Sequence, residues 1–417
     1  MTQLRLGSLD GWALDTGVHH LNHGSFGAVT SHIASRQRAL LDESHARPVS
    51  WFTSLPDRVA RARAEVAALL GVPEPLAAFT TNVSAAASAV FASLPLREGD
   101  EVLVTDHAYG AVAMGAARWV KRAGATVVTA HVPLDATDDD VLDRVLEAVT
   151  PRTQAVLIDQ ITSGTARLMP TARLAGVLRE RGIITIVDGA HAPGLIESPF
   201  TTSDADLWFG NMHKWACSPP GCAVLAAREP FADALNPVID SWGAGLDYPA
   251  RFDQAGTTDL TPWLLAAEAW QQLDHDIGWP AIREHADQTV SAGAELVASA
   301  IEEATGMLAA VEQPTPAPAM RLVRLPGRLG VTREQADSYR TPISQQASCE
   351  CAFTSFDGIG YVRLSGFAYN QQDDYEAFVE RAVPLLLLWA GTAAKFLGDS
   401  NAPARHNPKG QSSTGLL

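Results

Sequence analysis

The residues best suited to chemistry lie in the segment 206–221, where a single lysine, Lys214, stands among aromatic side chains. His213 precedes this lysine, and a Pro-Pro-Gly turn follows shortly after it. A lysine that is isolated from water becomes less basic, because burial disfavours the charged ammonium form. The neutral amine that results can form an imine with an aldehyde. We therefore predict that Lys214 acts as a nucleophilic amine.

A carboxylate that could serve this lysine, Asp188, occurs 26 residues earlier, directly after the apolar run 183–187. An acid at the end of a strand, followed one structural unit later by a lysine, is what a pyridoxal phosphate (PLP) site needs. The lysine carries the cofactor, and the acid pairs with the pyridinium nitrogen and keeps the ring an electron sink. A surface lysine and a turn aspartate are the alternative for each residue alone, but the pair favours a PLP site.

Small polar residues at 80–84 open an alanine-rich helix that we predict over residues 85–93. The free N–H groups and the positive dipole end of a helix N-terminus form a ready phosphate site. Any helix can begin with such a cap, so the pattern gains its meaning from the lysine motif. We predict that Asn82, Val83 and Ser84 form part of a cup for the PLP phosphate.

An arginine, Arg363, lies in a predicted strand over residues 360–364. Its guanidinium presents a planar pair of donors that matches a carboxylate. A solvent-facing arginine on an edge strand is the alternative interpretation. If Arg363 faces the site, the substrate is an amino acid or another amine that bears a carboxylate.

The bulk composition limits the classes of protein to consider. A chain of 417 residues is too long for one core, so we expect two domains. The net charge of −16 argues against a nucleic-acid partner, which needs a basic face. The four cysteines form no disulfide framework, the N-terminus has no apolar core of signal-peptide length, and no apolar run reaches the length of a membrane span. We expect a soluble, cytoplasmic protein without a membrane partner and without a metal site.

The order of predicted helices and strands indicates an α/β fold. Strands expected at 101–105, 126–131, 155–159, 183–187 and 206–209 alternate with helices. This rhythm implies right-handed crossovers and a mainly parallel sheet with helices on both faces. From about residue 261 the chain becomes helical, then rich in strands, and it ends in a helix predicted over 371–390. We therefore divide it into a lead-in (1–20) that packs with the small domain, a large PLP-binding domain (21–261), a small C-terminal α/β domain (262–397) and a disordered tail (398–417).

Taken together, these motifs resemble the class V aminotransferase family of fold type I PLP enzymes, and most closely its branch typified by isopenicillin N epimerase. The resemblance covers most of the chain between about residues 21 and 370. It implies the fold and the cofactor more specifically than the reaction. It rests on LNHGSFG (21–27), TTNVSAA (80–86), DHAYGA (106–111), DQITSGTARLMP (159–170), VDGAHAPG (187–194), FGNMHKW (209–215), AGTTD (255–259) and VRLSGFAYN (362–370).

The resemblance implies several roles around the cofactor ring. It places His107 flat against the ring, where stacking fixes the ring tilt. Thr162 or Ser163 is expected near the ring O3′ or the substrate, and His191 is expected to bond O3′ or to tune the imine. Two further cofactor contacts, at positions where relatives hold the phosphate or orient the lysine, are Asn211 and His213.

The resemblance also implies a substrate side and a partner subunit. Asn22 and His23 are candidates to touch the substrate, and Arg363 is the clamp for its α-carboxylate. Thr257 is expected to reach the phosphate of a neighbouring subunit, which implies a homodimer with shared sites. At Thr258 the chain departs from close relatives, which often carry arginine there. This departure weakens any direct transfer of substrate identity.

The reaction follows from which bond at the substrate Cα is weakened, because the enzyme selects the bond that it aligns with the ring π system. With Lys214 as the base, the default is loss of the Cα proton. Return of the proton to the opposite face gives epimerisation, with Tyr109 or His23 as the second acid. Delivery to C4′ gives transamination, and loss of a Cβ substituent gives a lyase. We predict an epimerase or racemase of the isopenicillin N epimerase type acting on an amino acid or a derived metabolite, with a C–S or other β-lyase or an aminotransferase as alternatives.

The cysteines bear on a further alternative, a desulfurase with a nucleophilic thiolate. Cys349 and Cys351 lie near the position where some desulfurases keep this residue. Alternation places both on one face of a strand-like run, and buried cysteine usually behaves as a small hydrophobe. We assign Cys217 and Cys222 to packing as well. Thiol-dependent chemistry therefore ranks below epimerisation and elimination. A PLP-binding regulator without turnover is the non-enzyme alternative, and a panel of amino-acid substrates separates the two.

Overall fold

The protein has a central seven-stranded sheet, as seen in a computed structural model that describes residues 3–398, with side chains as far as residue 391. One strand, Ala223–Ala227, runs antiparallel to the other six. The sheet is therefore mainly parallel, as predicted. In spatial order its strands are Ala77–Thr80, Ala223–Ala227, Leu207–Asn211, Ile184–Asp188, Thr153–Asp159, Glu101–Thr105 and Thr126–Ala130.

Helices cover both faces of this sheet. Alternate strand residues point to opposite sides, and the residues on each side are apolar and buried. Val104 and Leu157 belong to a buried cluster with the helices Val83–Ser93 and Gly110–Arg122. Leu103 and Val156 belong to a second cluster on the other face. The helices that contribute to this second cluster include Ser31–Ala46, Pro48–Leu69, Asp138–Ala148, Thr171–Glu180 and Thr261–Asp276.

A smaller antiparallel sheet lies in the C-terminal part of the chain. Its strands, in spatial order, are Ala352–Phe356, Ile359–Ser365 and Met320–Arg324. The helices Trp279–Thr305 and Gln372–Gly398 pack together beside it, and Arg333–Ser338 and Arg340–Ala347 precede its outer strand. Near the N-terminus, His19–His20 pairs in parallel with Cys349–Glu350. The shorter remaining helices are His23–Phe26, Pro199–Ser203 and Phe231–Ala234, with 3₁₀ turns at Glu74–Leu76 and Ala250–Phe252.

The predicted lead-in contacts the C-terminal part of the chain. The Gly7 amide donates to the carbonyl of Ala368, and the Trp12 ring meets those of Phe367 and Tyr369 edge-on. The role of residues 1–20 as a lead-in to a small domain and the domain division near residue 261 stay predictions. Most of the predicted tail, residues 399–417, lies outside the described residues. No helix in the described part of the chain is long and apolar enough to cross a membrane.

The helix Pro48–Leu69 begins directly at its proline. Proline is favoured in the first turn of a helix, where its missing N–H would have no intrahelical partner. The Thr30 hydroxyl caps the preceding helix, Ser31–Ala46, by accepting from the Ile33 amide at 3.2 Å.

Candidate active site

Lys214 lies just beyond the carboxyl end of the strand Leu207–Asn211, and it is 8% exposed. Ligand sites of open α/β sheets lie at this edge. Its Nζ reaches into a cavity of about 380 Å³ and lies 3.0 Å from Nε2 of His191. Burial and then the charge of Arg363 lower the pKa of Lys214 to about 7. The lysine is therefore available as a neutral amine near neutral pH.

The partners of His191 fix the proton on its ring. The Trp215 indole N–H donates to Nδ1 of His191 at 3.2 Å, and an indole can only donate. In the neutral ring, the proton must then sit on Nε2, which donates to Lys214 Nζ. Burial, reinforced by the positive charges of Lys214 and Arg363, holds the pKa of His191 well below its ordinary value, so the ring stays neutral. This hydrogen bond requires a lone pair on Nζ, which favours the neutral lysine.

Two carboxylates end adjacent parallel strands beneath the lysine. Asp188 and Asp159 are register partners, and both are 2% exposed. Asp188 Oδ1 accepts from the Ala190 amide at 2.9 Å, whereas Oδ2 of each aspartate is buried without a hydrogen-bond partner. Burial raises the pKa of Asp188 to about 6, and burial together with the charge of Asp188 raises the pKa of Asp159 well above its ordinary value.

The unpartnered oxygen of Asp188 provides a test of whether PLP fits here. A buried acceptor without a donor is costly, and the pyridinium N–H is a donor that would satisfy it. The ammonium form of Lys214 lies close enough to Asp188 to lower the pKa of this carboxyl electrostatically, so the anchor and the acid share one pocket. The donor set therefore fits PLP, with Lys214 to hold it covalently and Asp188 to pair with its ring nitrogen.

Arg363 forms the opposite wall of the cavity and is 4% exposed. Its Nη1 donates to the Ser163 carbonyl at 2.5 Å, and its Nη2 donates to Asn22 Oδ1 and Ser25 Oγ, both at 3.0 Å. Among the described residues, no carboxylate contacts this guanidinium. A buried cation without a counter-ion is suited to an anionic group of a ligand. Asn22 and Ser163 thus orient the arginine through its hydrogen bonds.

His107 lines the cavity with a fully buried side chain whose two ring nitrogens are both engaged. Nε2 donates to the Val132 carbonyl at 2.7 Å, so Nδ1 accepts from the Thr165 hydroxyl, also at 2.7 Å. Burial lowers the pKa of His107 and keeps the ring neutral. This fixed, neutral ring suits the stacking role predicted for it and leaves it without a free nitrogen for proton transfer.

Tyr109 also lines the cavity, and its ring centroid lies 5.8 Å from Nζ of Lys214. The residue is 38% exposed. It directly precedes the helix Gly110–Arg122, so its position is set by the start of that helix. Of the two residues predicted as a second acid, Tyr109 is the one that lines the cavity holding the lysine amine.

His23, the other candidate, lies beneath the lysine backbone instead. Its Nε2 donates to the Lys214 carbonyl at 3.2 Å, its Nδ1 accepts from the Tyr369 hydroxyl at 3.1 Å, and its ring stacks on Phe367 at 3.8 Å. Burial lowers the pKa of His23 to about 3. Both nitrogens are therefore taken and the side chain is 2% exposed, while the residue lines a cavity of about 370 Å³ that adjoins the first. Its contact with the substrate stays a prediction.

Some of the groups predicted to bind the phosphate are hydrogen-bonded within the protein. The Asn82 side chain caps its own helix by accepting from the Ala85 amide at 2.9 Å. Asn211 accepts from the Val83 amide at 3.1 Å and so ties the helix start to the strand that leads to the lysine. Ser84 is exposed at the same helix end. His213 is bonded to the Cys222 carbonyl at 3.3 Å, and burial lowers its pKa to about 4.

Thr257 lies away from the lysine of its own chain. It is exposed in the segment 253–260 and lines a surface cavity with Phe52 and Trp242. Its contact with the phosphate of a neighbouring subunit stays a prediction.

Sequence reasoning missed two residues of the site. Asp159 could have been found, because it ends an apolar strand in the same way as Asp188. Trp215 adjoins the lysine, but the sequence carries no signal that its indole N–H meets His191, 24 residues away.

Comparison with known proteins identifies the family. The sequence profile of the family described as Aminotransferase class-V matches residues 44–320. Isopenicillin N epimerase of Amycolatopsis lactamdurans is 30% identical over 277 residues, which cover 62% of this chain and 69% of that protein. Putative L-cysteine desulfhydrase 1 of Oryza sativa subsp. japonica is 28% identical over 399 residues, which cover 87% of this chain and 82% of the relative.

A solved structure supports the fold. A variant of C-DES with glycine covalently linked to its PLP cofactor matches with a TM-score of 0.72 and 15% identity, over 88% of this chain and 96% of that one. This similarity shows fold type I, and the family profile spans more than half of the chain. The chain therefore belongs to the class V aminotransferase family and is a PLP-dependent enzyme.

Proposed function

We propose that the protein catalyses β-elimination on an amino acid that carries a leaving group on Cβ, with a C–S bond as the favoured target. The observation that carries the proposal is the state of the proton-transfer groups around the cavity. The amine of Lys214 has a pKa of about 7 and can act as a base near neutral pH, whereas both nitrogens of His107 are already hydrogen-bonded. Elimination needs one base at Cα, whereas a two-base inversion needs a second group on the other face. The relative named as a putative L-cysteine desulfhydrase, which matches most of the chain, agrees with this class of reaction.

The residues of the cavity divide the work of binding and proton transfer. Arg363 holds the α-carboxylate of the substrate, and its bonds to Asn22 and Ser163 fix the plane of the guanidinium. Bound PLP would withdraw electrons from Cα and so acidify its proton. Asp188 maintains this effect by pairing with the ring nitrogen. Lys214 then takes the Cα proton as the general base.

The bond changes in the elimination balance with water as the only further reactant. The electron pair of the Cα–H bond becomes the second Cα–Cβ bond, while the Cβ–S bond breaks and its electron pair leaves as a thiolate. The ammonium of Lys214 returns the proton to this thiolate. After hydrolysis, one substrate and one water give a thiol, pyruvate and ammonia when the substrate is a cysteine S-conjugate.

The cysteines of the chain support elimination over thiol-dependent sulfur transfer. All four lie in the described part of the chain and are buried as free thiols. Burial raises the pKa of Cys349 to about 11 and holds those of the other three, Cys217, Cys222 and Cys351, well above their ordinary values. A desulfurase needs a reactive thiolate over the substrate, and buried thiols of high pKa do not supply one.

Epimerisation is the second candidate, and one observation favours it. Tyr109 presents its ring in the same cavity as the lysine amine, where its hydroxyl could return a proton to Cα. The match to isopenicillin N epimerase of Amycolatopsis lactamdurans agrees with this reading. The two candidates differ in what happens to Cβ, because epimerisation leaves that carbon intact.

Proton NMR in D₂O, with pyruvate measured in parallel, separates these reactions on PLP-loaded enzyme. Elimination predicts pyruvate, ammonia and a released thiol from S-substituted L-cysteines, and a Tyr109→Phe variant that keeps most of this activity. Deuterium at Cα with loss of optical purity and no keto acid, abolished by Tyr109→Phe, would instead establish epimerisation. Keto acid that forms only with an amino acceptor would establish transamination and would contradict the proposal.

We also propose a homodimer in which Thr257 serves the site of the partner. Two exposed aromatic side chains line the same surface cavity as Thr257: Trp242, which is 91% exposed, and Phe52, which is 43% exposed. Exposed apolar patches of this kind mark interaction surfaces. Light scattering should give twice the mass of the chain, and Trp242→Ser should weaken the dimer. An unchanged mass for the variant, or a monomeric wild type, would contradict the assignment. The division into two domains near residue 261 remains part of the proposal.

A further inference from the structure

The mouth of the active-site cavity carries two arginines that the elimination does not use. Arg333 and Arg340 begin the short helices Arg333–Ser338 and Arg340–Ala347, and both line the cavity that holds Lys214 and Arg363. Their side chains are 63% and 44% exposed. Arg333 lies against Gly110: a Cβ on this glycine would stand 2.3 Å from its Nη1. Any larger residue there would displace the guanidinium.

The arginines that line the cavity outnumber its aspartates. The arginines are Arg333, Arg340 and Arg363, and the aspartates are Asp106 and Asp337. Asp337 faces both arginines at the mouth, with its Oδ1 2.9 Å from Arg340 Nη2 and its Oδ2 3.7 Å from Arg333 Nε. Asp106 instead faces the His131 ring at 2.6 Å and the Val132 amide at 3.1 Å. Arg333 and Arg340 therefore share the carboxylate of Asp337, and the cavity lining carries an excess of positive charge.

Space continues beyond Arg340. A second cavity of about 370 Å³ shares Arg340 and Phe26 with the first, so these two side chains stand between the two spaces. Its lining also includes the polar side chains of Ser344 and Gln345 and one carboxylate, Glu350, which is paired with the His20 ring at 3.4 Å. A substituent that extends from the reacting carbon past Arg340 would enter this second space. The two adjoining cavities therefore offer room for a substrate with a longer side chain than that of a simple α-amino acid.

We propose that the substrate is an amino acid whose side chain ends in a second anionic group of the carboxylate class, bound by Arg340 with the support of Arg333. This rests on the proposed function, since Arg363 is taken to hold the α-carboxylate. The guanidinium of Arg340 offers the planar fork that matches a carboxylate, and Asp337 keeps it oriented. A neutral side chain of the same length would bring no second negative charge to Arg333 and Arg340, which share Asp337.

A matched pair of substrates tests the second anionic site. S-(carboxymethyl)-L-cysteine and S-(carbamoylmethyl)-L-cysteine have the same length and differ in one charge. The PLP-loaded enzyme should prefer the acid by about tenfold in kcat/KM, mainly through KM, a ratio that corresponds to one charge-assisted hydrogen bond at a half-exposed position. Arg340→Gln should bring this ratio close to one, and Arg340→Glu should favour the cationic S-(2-aminoethyl)-L-cysteine instead. Arg328→Gln, an exposed arginine that lines neither cavity, should keep the wild-type ratio.

A binding experiment separates the failure of this inference from the failure of the proposed reaction. Calorimetry with hexanedioate and its monoamide, which have no amino group and cannot react, measures recognition alone. Tighter binding of the diacid by about tenfold, lost in Arg340→Gln, would support the second site even if none of the S-conjugates were turned over. Equal binding of diacid and monoamide, or a preference that Arg340→Gln leaves unchanged, would overturn the inference even if elimination were established.

Discussion

The buried carboxylate of Asp188 should destabilise the protein when the cofactor is removed, and Asp188→Asn should relieve this cost. The substitution is nearly isosteric, and Asn can keep the hydrogen bond from the Ala190 amide through its Oδ1. Its amide nitrogen would replace Oδ2, which has no partner and adjoins the second buried acid, Asp159. The variant therefore removes a buried negative charge and loses no hydrogen bond.

The size of the effect follows from the pKa. Burial raises the pKa of Asp188 from 3.8 to about 6, so the folded protein binds more protons than the unfolded chain between these values. Stability consequently falls as the pH rises through this window and stays low above pH 6. A difference of about two pKa units corresponds to about 3 kcal/mol of folding free energy. The cofactor-free variant should exceed the wild type by this order of magnitude at pH 8, and the gap should narrow toward pH 4.

Urea unfolding of the cofactor-free proteins between pH 5 and 8, followed by tryptophan fluorescence, measures this difference. Asp206→Asn is a matched control, because Asp206 is also buried but its Oδ2 accepts from the Thr185 amide at 2.8 Å. That variant should not gain stability. Added PLP should stabilise the wild type more than Asp188→Asn, since only the wild type offers an anionic partner to the ring nitrogen. A cofactor-free Asp188→Asn that is less stable than the wild type at pH 8 would refute the reasoning.

Two further predictions concern the lysine and the arginine. Trp215→Phe removes the donor to Nδ1 of His191, so the proton of this ring can move to Nδ1 and Nε2 can accept from the ammonium of Lys214. The pKa of Lys214 should therefore rise from about 7 by about one unit. The pH at which the cofactor-free protein takes up PLP covalently reports this shift. Trp208→Phe, which loses a hydrogen bond to Gln160 and none to His191, should leave that pH unchanged. Arg363→Gln should raise KM for amino acids by about 10- to 100-fold while affecting their α-amides little, because it removes a buried charge-assisted bond; equal losses for acids and amides would exclude the carboxylate clamp.

The main features of the fold could be predicted from sequence because they depend on local patterns, and the assignment of Lys214 as the covalent anchor, which stays a prediction, rests on patterns of the same kind. Apolar runs ended by polar residues mark the strands near Asp159 and Asp188, and parallel strands bring their carboxyl ends to one edge. The antiparallel strand Ala223–Ala227 was missed, since its alanine-rich run has no β-branched pattern apart from Val224. The strand order could not be derived, because hydrophobic alternation defines a face and carries no information about the neighbouring strand.

The orientation of individual side chains was the other limit. The sequence predicts that His23 contacts the substrate, but it could not show that the ring also stacks on Phe367 and bonds the Lys214 carbonyl. Gly27 explains the close fit: a Cβ there would stand 2.1 Å from the His213 carbonyl oxygen. The residues that meet in the cavity, such as Arg340 and Lys214, lie far apart in sequence, so their proximity appears only when the chain is folded.

The most direct test of the account asks which lysine carries the cofactor. The sequence contains four lysines, at positions 121, 214, 395 and 409. Borohydride reduction of the PLP-loaded protein, followed by proteolysis and mass spectrometry, fixes the cofactor to the amine that holds it. We predict that the pyridoxyl group is found on Lys214, and that Lys214→Ala yields no labelled peptide while Lys121→Ala is labelled as the wild type is. A label on another lysine, or an undiminished label in Lys214→Ala, would contradict the account.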